Sequence, residues 1–420
     1  MGNTMQALVT VIEFGSDKIR VLHGCRDEAG EAQAVAFAEE SSEGAVVKGM
    51  IVDPEKAEKI LGRVIDRADR AVSFSGDRRF VLFLLNGAAV VPCRGEGSVS
   101  IHDSEKVESR HVEDALKKAH SVTLQPGIVS FNSFDGFFVL DRSSRVKQPL
   151  GQCAKQLDAY LHILTTEQRV LDQINNMLFR VGFELKGEPL FNGIASAYGV
   201  LRQEEQEQGV LLIDFGHGAC DYVLVCTEGI YHSGVLPVGV AHVANDLAIG
   251  LDLPYEFCLK FLREDRLRKM RESGMTYLEY TVSATGKKRQ VPLYSFEKII
   301  GLRLREIYSV IQAKVYEKNL KSCISAGVVI CGGGSQVFGS LEAAKQIFSD
   351  SSVRIGEPMV TGSKAGFELP MPCYASLLGG LKYALEDDAL NEGSSIDAVR
   401  NVLSSVGENV LNKVKKVFGK

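Results

Sequence analysis

Neither a CxxC pair nor a Cys/His cluster at zinc spacing occurs in these 420 residues, although nine cysteines are scattered from Cys25 to Cys373. Structural zinc and a disulfide framework are therefore not expected, and an odd number of unpatterned thiols reads as reduced cysteine in a cytosolic setting. No stretch of roughly 18 apolar residues runs uninterrupted, so a membrane-spanning helix is not expected. The first residues lack a charged segment followed by an apolar run, which gives no sign of a secretory leader. Charge of one sign is not in excess either: 48 Lys plus Arg against 53 Asp plus Glu give a net charge of −5. A protein that neutralises nucleic-acid phosphates needs a basic surface, so a dedicated nucleic-acid binder is set aside. Low-complexity tracts and short-period repeats are also missing.

What is present is an ordinary globular composition, 45% hydrophobic and 24% charged, in a chain long enough for two or three domains. Residues 7–25, ALVTVIEFGSDKIRVLHGC, read as a strand, a Gly-Ser-Asp turn and a second strand, with Gly15 supplying the permissive backbone. Pro54 opens an amphipathic helix within 52–72, and the strand FVLFLLNG follows. Residues 92–165 mix short strands with a charged helical stretch, as a small inserted domain would. Helices are expected around TEQRVLDQINNMLFRVGFEL and GIASAYGVLRQEEQEQ. The hairpin pattern then recurs over 210–235, where LLIDFGHGACDYVLV gives strand, glycine turn, strand. Both hairpins place an acid, one residue and a glycine at the turn: Glu13-Phe14-Gly15 and Asp214-Phe215-Gly216. Two such halves about 200 residues apart indicate a duplicated α/β core rather than one open sheet. Residues 251–300, with KFLREDRLRKMRE and a Gly-Lys-rich hairpin, read as a second insertion.

A glycine turn presents successive backbone N–H groups to one concavity, which suits a phosphate chain. A carboxylate at the strand end can hold Mg²⁺ through water. Two facing loops with one acid each would clamp a nucleotide's phosphates and metal between two lobes. The candidate phosphate contacts are Gly15, Ser16, Asp17 and Lys18 in the first loop and Gly216, His217, Gly218 and Ala219 in the second. Glu13 and Asp214 are the candidate catalytic and metal-holding acids. A third loop, Gly332, Gly333, Gly334, Ser335 and Gln336, follows a buried strand and is expected to open a helix at about 336–339. Its bare backbone suits a flat base and ribose passing close by.

The order and spacing of these loops resemble the phosphate-1, phosphate-2 and adenosine motifs of the actin superfamily. Within it the chain is similar to the bacterial cell-division family FtsA over nearly its whole length. LFNGIASAYGVL resembles the family's connecting helix, and PVGVAHVANDLAIGL resembles the segment after phosphate 2, in which Gly239 starts a helix. VVICGGGSQVFGSLEAAKQIF, VRIGEPMVTG and YASLLGGLKYAL correspond in order to its late segments. The resemblance implies an α/β, actin-like two-lobed ATPase fold that binds ATP with Mg²⁺, with an FtsA-type small subdomain in place of the actin one. Lobe 1 is expected over 1–81, 166–208 and 371–386, the inserted subdomain over 82–165, and lobe 2 over 209–250 and 301–370. A small partner-binding subdomain would take 251–300, a linker 387–396 and an amphipathic helix 397–420.

The family's second phosphate loop usually reads Asp-x-Gly-Gly-Gly-Thr-x-Asp. Here Asp214, Gly216, Gly218 and Asp221 are kept, while His217 and Ala219 stand for a glycine and a threonine. Losing the threonine hydroxyl removes one donor to the terminal phosphate, so nucleotide binding with slow or absent hydrolysis is expected. His217 would crowd the phosphates if its φ were positive, or it could donate to one; a tolerated substitution at the loop tip is the plainer reading. Asn192 lies near where actins hold a water-orienting glutamine, with helix capping as the alternative.

The last segment, DAVRNVLSSVGENVLNKVKKVFGK, puts Val402, Leu403, Val406, Val410, Val414, Val417 and Phe418 on one side of a helix, with Lys415 and Lys416 opposite. A basic end after an acidic, Ser/Gly-bearing linker suits an interfacial helix on an anionic membrane, and the family's terminal targeting helix implies the same. Polymerisation would strengthen so weak an anchor by multivalency. The basic run REDRLRKMR at 263–271 concentrates charge in the second insertion. By resemblance that subdomain docks the C-terminal peptide of the tubulin-like FtsZ, with Arg303, Arg305 and Lys288 as candidate contacts. The expected protein is an ATP-binding scaffold that polymerises on the cytoplasmic face of the membrane at the division site, tethers FtsZ and meets other divisome proteins. Rivals on the same fold are a small-molecule kinase, for which no convincing catalytic-aspartate segment is found, and a pilus-assembly adaptor, whose relatives generally lack the terminal helix.

Overall fold

The computed structural model describes residues 8–386 except 73–78, 103–105, 184, 186, 228, 282–285, 287, 319 and 360–370. The linker and amphipathic helix expected over 387–420 lie outside the described residues. The first expected hairpin is β1 (Leu8–Phe14) and β2 (Lys18–Arg26), followed by β3 (Ala32–Ser41). Every residue of β1 is buried, the mark of a strand covered on both faces. A two-residue-per-arm hairpin, β4 (Val46–Val47) and β5 (Met50–Ile51), leads into α1 (Pro54–Arg70). Pro54 stands in the first turn and the Asp53 carboxylate accepts from the Lys56 N–H, so two sequence-coded devices fix where α1 begins.

β6 (Arg79–Leu85) pairs in parallel with β1. Its Leu82, Phe83, Leu84 and Leu85 are buried in the core of the first lobe, so the insert begins after this strand and not at residue 82. The insert comprises β7 (Val91–Ser100), α2 (Ser109–His120), β8 (Ile128–Leu140), β9 (Ser144–Val146) and β10 (Gln156–Glu167). Its sheet has the order β7-β10-β8-β9 and encloses a small core with α2 around Leu116, Leu157 and Leu161. The chain returns through α3 (Gln168–Arg180), β11 (Leu190–Phe191), α4 (Asn192–Val200) and α5 (Gln203–Gln208).

The second half repeats the first. β12 (Val210–Phe215), β13 (Cys220–Cys226) and β14 (Gly229–Leu236) are followed by α6 (Val240–Leu251). The second insertion holds α7 (Tyr255–Arg263), α8 (Arg266–Glu272) and the hairpin β15 (Tyr277–Thr281) and β16 (Lys288–Pro292). Then come α9 (Leu293–Tyr316), β17 (Gly327–Cys331), α10 (Ser340–Ile347), β18 (Val353–Ile355) and α11 (Ala375–Glu386). One sheet runs β11-β6-β1-β2-β3 and the other β18-β17-β12-β13-β14, with the same alternation of parallel and antiparallel neighbours. One large hydrophobic core surrounds the first sheet and also takes Val210, Leu212, Val223 and Val329 from the second, whose Leu211, Ile213 and Leu224 belong to the other large core. Among the described residues no helix is long and apolar enough to cross a membrane.

Candidate functional site

The two hairpin turns have the same construction. Gly15 N–H donates to the Lys18 carbonyl and Gly216 N–H to the Ala219 carbonyl, each at 2.9 Å. A Cβ on Gly15 would lie 2.8 Å from the Lys18 oxygen and one on Gly216 2.7 Å from the Ala219 oxygen, so neither turn admits a side chain without shifting. The turns also meet: a Cβ on Gly218 would sit 2.5 Å from Ser16 Oγ. Helix α6 starts on the second loop, with Val240 and Ala241 N–H donating to the Gly216 and His217 carbonyls at 3.2 and 2.9 Å. A Cβ on Gly239 would come within 2.5 Å of the His217 oxygen, which is why this helix start takes glycine.

The third loop joins the same place. Gly332 adopts φ +77° and leaves no room for a Cβ against Asp214 Oδ1, while Gly334 lies on the Phe215 ring. Gly333 is exposed with open space over it. Gly333–Gln336 form one 3₁₀ turn held by Ser335 Oγ donating to the Gly332 carbonyl at 2.7 Å, and the α-helix begins only at Ser340, slightly later than expected.

Asp214 and Asp221 are directly opposed across β12 and β13, which puts both carboxylates on one face. Asp214 Oδ2 accepts from Ser196 Oγ and from Asn192 Nδ2 at 3.2 Å. Burial nonetheless raises its pKa to about 6, with the Ser196 bond pulling down and Glu13 pushing up. Burial and the Asp214 charge push Asp221 well above the usual carboxylate range. Asp221 Oδ1 and Asn192 Oδ1 are buried without a hydrogen-bond partner. Asn192 therefore does not cap its helix; it orients Asp214.

Several expected contacts are already engaged. Glu13 Oε2 accepts from Arg20 Nη1 and Oε1 from Ser376 Oγ, both at 3.0 Å, so a metal would have to share those lone pairs through water. Lys18 is ion-paired with Glu39, and Asp17 with Arg263 of α7, a contact that crosses from one lobe to the other. His217 is not among the residues with positive φ, so the feared intrusion on the phosphates does not arise. Burial lowers its pKa, with Asp17 opposing and Arg263 and His242 adding to the effect. Arg303 forks onto Asp246 at 2.5 and 3.0 Å and reaches Glu306 at 2.7 Å; Lys288 donates to Glu279 at 2.8 Å. Of the three basic candidates only Arg305 has no carboxylate partner among the described residues.

The residue types fit a magnesium nucleotide. Glycine cradles that any Cβ would fill, two orphaned buried oxygens and adjoining acids suit a polyanion with a hydrated cation. Among the described residues no three His, Cys, Asp or Glu side chains form a direct metal cage. Sequence reading missed Arg20, Ser196 and Ser376 in this site. Ser196 carried a usable signal, since it stands one helical turn after Asn192. Two cavities lie elsewhere: about 670 Å³ between β8, α3 and the Gly187–Pro189 segment, and about 320 Å³ behind Phe14 and Asn86.

A family model described as "Cell division protein FtsA" matches residues 211–379, and one described as "SHS2 domain inserted in FTSA" matches residues 87–165. Cell division protein FtsA of Pseudomonas aeruginosa is 26% identical over 414 residues, 97% of each chain. FtsA of Escherichia coli K12 is 25% identical over 414 residues and 96% of each chain, and that of Borreliella burgdorferi 25% over 389 residues and 92% of each. Among solved structures, a PilM-PilN type IV pilus biogenesis complex superposes with TM-score 0.61 at 14% identity, covering 91% of this chain and 99% of that one. MreB5 of Spiroplasma citri bound to ADP gives TM-score 0.52 at 13% identity, covering 92% and 100%. At such identities the two structures establish the actin-like fold and nothing finer.

Proposed function

The chain belongs to the FtsA family of actin-like cell-division proteins, and on that premise we propose that it binds ATP between its lobes, polymerises on the cytoplasmic membrane and anchors FtsZ there. The observation that carries the reading is the meeting of the two glycine turns, with Gly218 against Ser16. Within Gly15–Lys18 and Gly216–Ala219 the Gly15 and Gly216 N–H groups close the turns, and the other backbone N–H groups would hold the phosphates, with Gly332–Gln336 taking the base and ribose. Asp214, with Glu13 behind it, would hold Mg²⁺ through water.

Bound nucleotide would supply a phosphoryl group that water can accept. The chain does little to help that transfer. Ala219 has no hydroxyl, and Asn192 and Ser196 both direct their protons to Asp214 Oδ2. Slow or absent hydrolysis follows, and the nucleotide serves to set lobe position. Calorimetric titration of the full chain with ATP and Mg²⁺ tests the reading: saturable binding is expected, weakened at least about tenfold by Gly218→Ala. No binding by the unaltered chain would overturn it. Membrane attachment through Val402, Leu403, Val406, Val410, Val414, Lys415, Lys416, Val417 and Phe418 is tested by co-sedimentation with anionic vesicles, comparing the full chain with one cut after Asp388. Docking of the FtsZ C-terminal peptide is tested with Arg305→Glu, the candidate whose charge is uncommitted, beside Arg303→Ala and Lys288→Ala.

A further inference from the structure

We propose that Lys48, at the tip of the β4–β5 hairpin, is the cation that distinguishes a nucleoside triphosphate from a diphosphate in this cleft. The inference rests on the nucleotide reading and goes beyond it by naming the residue that senses the terminal phosphate.

The hairpin tip is fixed on three sides. Gly49 N–H donates to Ser16 Oγ of the first loop at 3.0 Å, and Ala88 N–H donates to the Lys48 carbonyl at 3.1 Å. On the third side, a Cβ on Gly218 of the second loop would lie 3.1 Å from Lys48 Cα. Lys48 is thus held against both phosphate loops at once, although it belongs to neither. Its backbone has φ +52°, a region that glycine or asparagine enters more readily than lysine. The next residue, Gly49, is itself glycine at φ +79°, so this turn tolerates glycine and keeps lysine beside it. A strained residue at a cleft is a reason to look for what its side chain does.

Charge accounting points the same way. Lys18 is ion-paired with Glu39, Arg20 with Glu13 and Glu39, and Arg263 with Asp17. Lys48 is exposed and has no ion-pair partner among the described residues. Its positive charge acts on His242, in the first turn of α6, where burial and then Lys48 hold the imidazole below its ordinary pKa. It is the backbone contact with Gly218, whose Cβ would lie 3.1 Å from Lys48 Cα, that sets this residue against the loop on which helix α6 starts. The cleft also holds the buried acids Glu13 and Asp214, and a carboxylate ionised there opposes a polyphosphate. A free cation reaching from lobe 1 to a phosphate cradled by lobe 2 offsets that repulsion, and its leverage is greatest on the outermost phosphate.

The test compares full-length Lys48→Gly, Lys48→Arg and unaltered protein by calorimetric titration with ATP and with ADP, each with Mg²⁺, beside thermal unfolding without nucleotide. Lys48→Gly suits the left-handed backbone, so its unfolding temperature is expected to be unchanged or raised. Its ATP affinity is expected to fall about tenfold or more, the size of one lost charge-assisted contact, with ADP affinity moving less than about threefold. Lys48→Arg is expected to retain most of the preference. Equal ATP affinity in Lys48→Gly and the unaltered protein, or a parallel loss for both nucleotides, would overturn the assignment. If the unaltered protein binds neither nucleotide, the cleft reading itself fails and Lys48 has nothing to sense.

Discussion

Asp214 accepts two hydrogen bonds and still titrates near 6, because desolvation of a fully enclosed carboxylate outweighs both donors. Between its ordinary value of 3.8 and about 6 the folded protein binds the proton and the unfolded chain does not. Stability contributed by this group is therefore largest at low pH and declines as pH rises through that window, by about 3 kcal/mol in all. Asp214→Asn keeps the acceptor for Ser196 and removes the buried charge. Its unfolding temperature without nucleotide is expected to exceed the parent's at pH 7.5 and to match it near pH 4, while magnesium-dependent ATP binding disappears. A variant less stable than the parent at pH 7.5 would show that the carboxylate is better compensated than burial implies. Arg20 behaves in the opposite way. It pairs with both Glu13 and Glu39, and its removal strands Glu13, which is only 5% exposed. Arg20→Gln is expected to lower unfolding free energy by about 3 kcal/mol in a urea titration, the usual cost of leaving one partner of a buried pair uncompensated.

At the scale of elements, helix α4 of lobe 1 crosses α11 with almost no space between backbones. A Cβ on Gly379 would overlap the Ala195 carbonyl, and one on Gly199 would overlap that of Ala375. Gly62 in α1, by contrast, has nothing within 4 Å of where its Cβ would be. Gly379→Ala is accordingly expected to destabilise by at least about 2 kcal/mol through overpacking, whereas Gly62→Ala should stabilise by up to about 1 kcal/mol. Paired urea melts distinguish these, and similar values for both would mean the helices can separate freely. The GIASAYGV stretch read as a helix in the sequence, which did not show that its glycine faces one in LLGGLKYA, since nothing local encodes a contact between residues so far apart. The two glycine hairpins were legible because strand, turn and acid sit within a dozen residues of one another. The Glu13–Arg20 and Asp214–Asp221 pairings depend on register across the turn, and register was not read. The boundary expected at 82 cuts through the strand FVLFLLNG, because a continuous apolar run marks burial without saying in which sheet.

At the scale of the molecule, the insert touches both lobes. It leaves lobe 1 after β6 and returns at α3, yet its sheet leans on edge strand β14 of lobe 2. Phe137 stacks between Tyr160 and Tyr231 at 4.9 Å from each, with Arg94 and Arg145 lying over the rings. His162 Nε2 bonds Ser233 Oγ at 2.9 Å in a buried position, and Lys147 donates to the Thr227 carbonyl at 2.8 Å. Burial holds His162 and His232 far below the ordinary imidazole range, so both imidazoles stay neutral at physiological pH and do not respond to modest acidification. A body joined to lobe 1 and packed on lobe 2 resists any motion that separates the lobes, the motion that release of the proposed nucleotide would require. Tyr231→Ala removes one ring from the stack without entering the insert's own core of Leu116, Leu157 and Leu161. Release of a fluorescent ATP analogue, followed by stopped flow, is expected to accelerate about tenfold in this variant, consistent with the loss of roughly 1.4 kcal/mol of aromatic packing from the closed state. Far-ultraviolet circular dichroism should be unchanged. An unaltered release rate would mean that the insert rides on lobe 2 without restraining it, and that the Asp17–Arg263 bridge and the nucleotide alone keep the cleft shut.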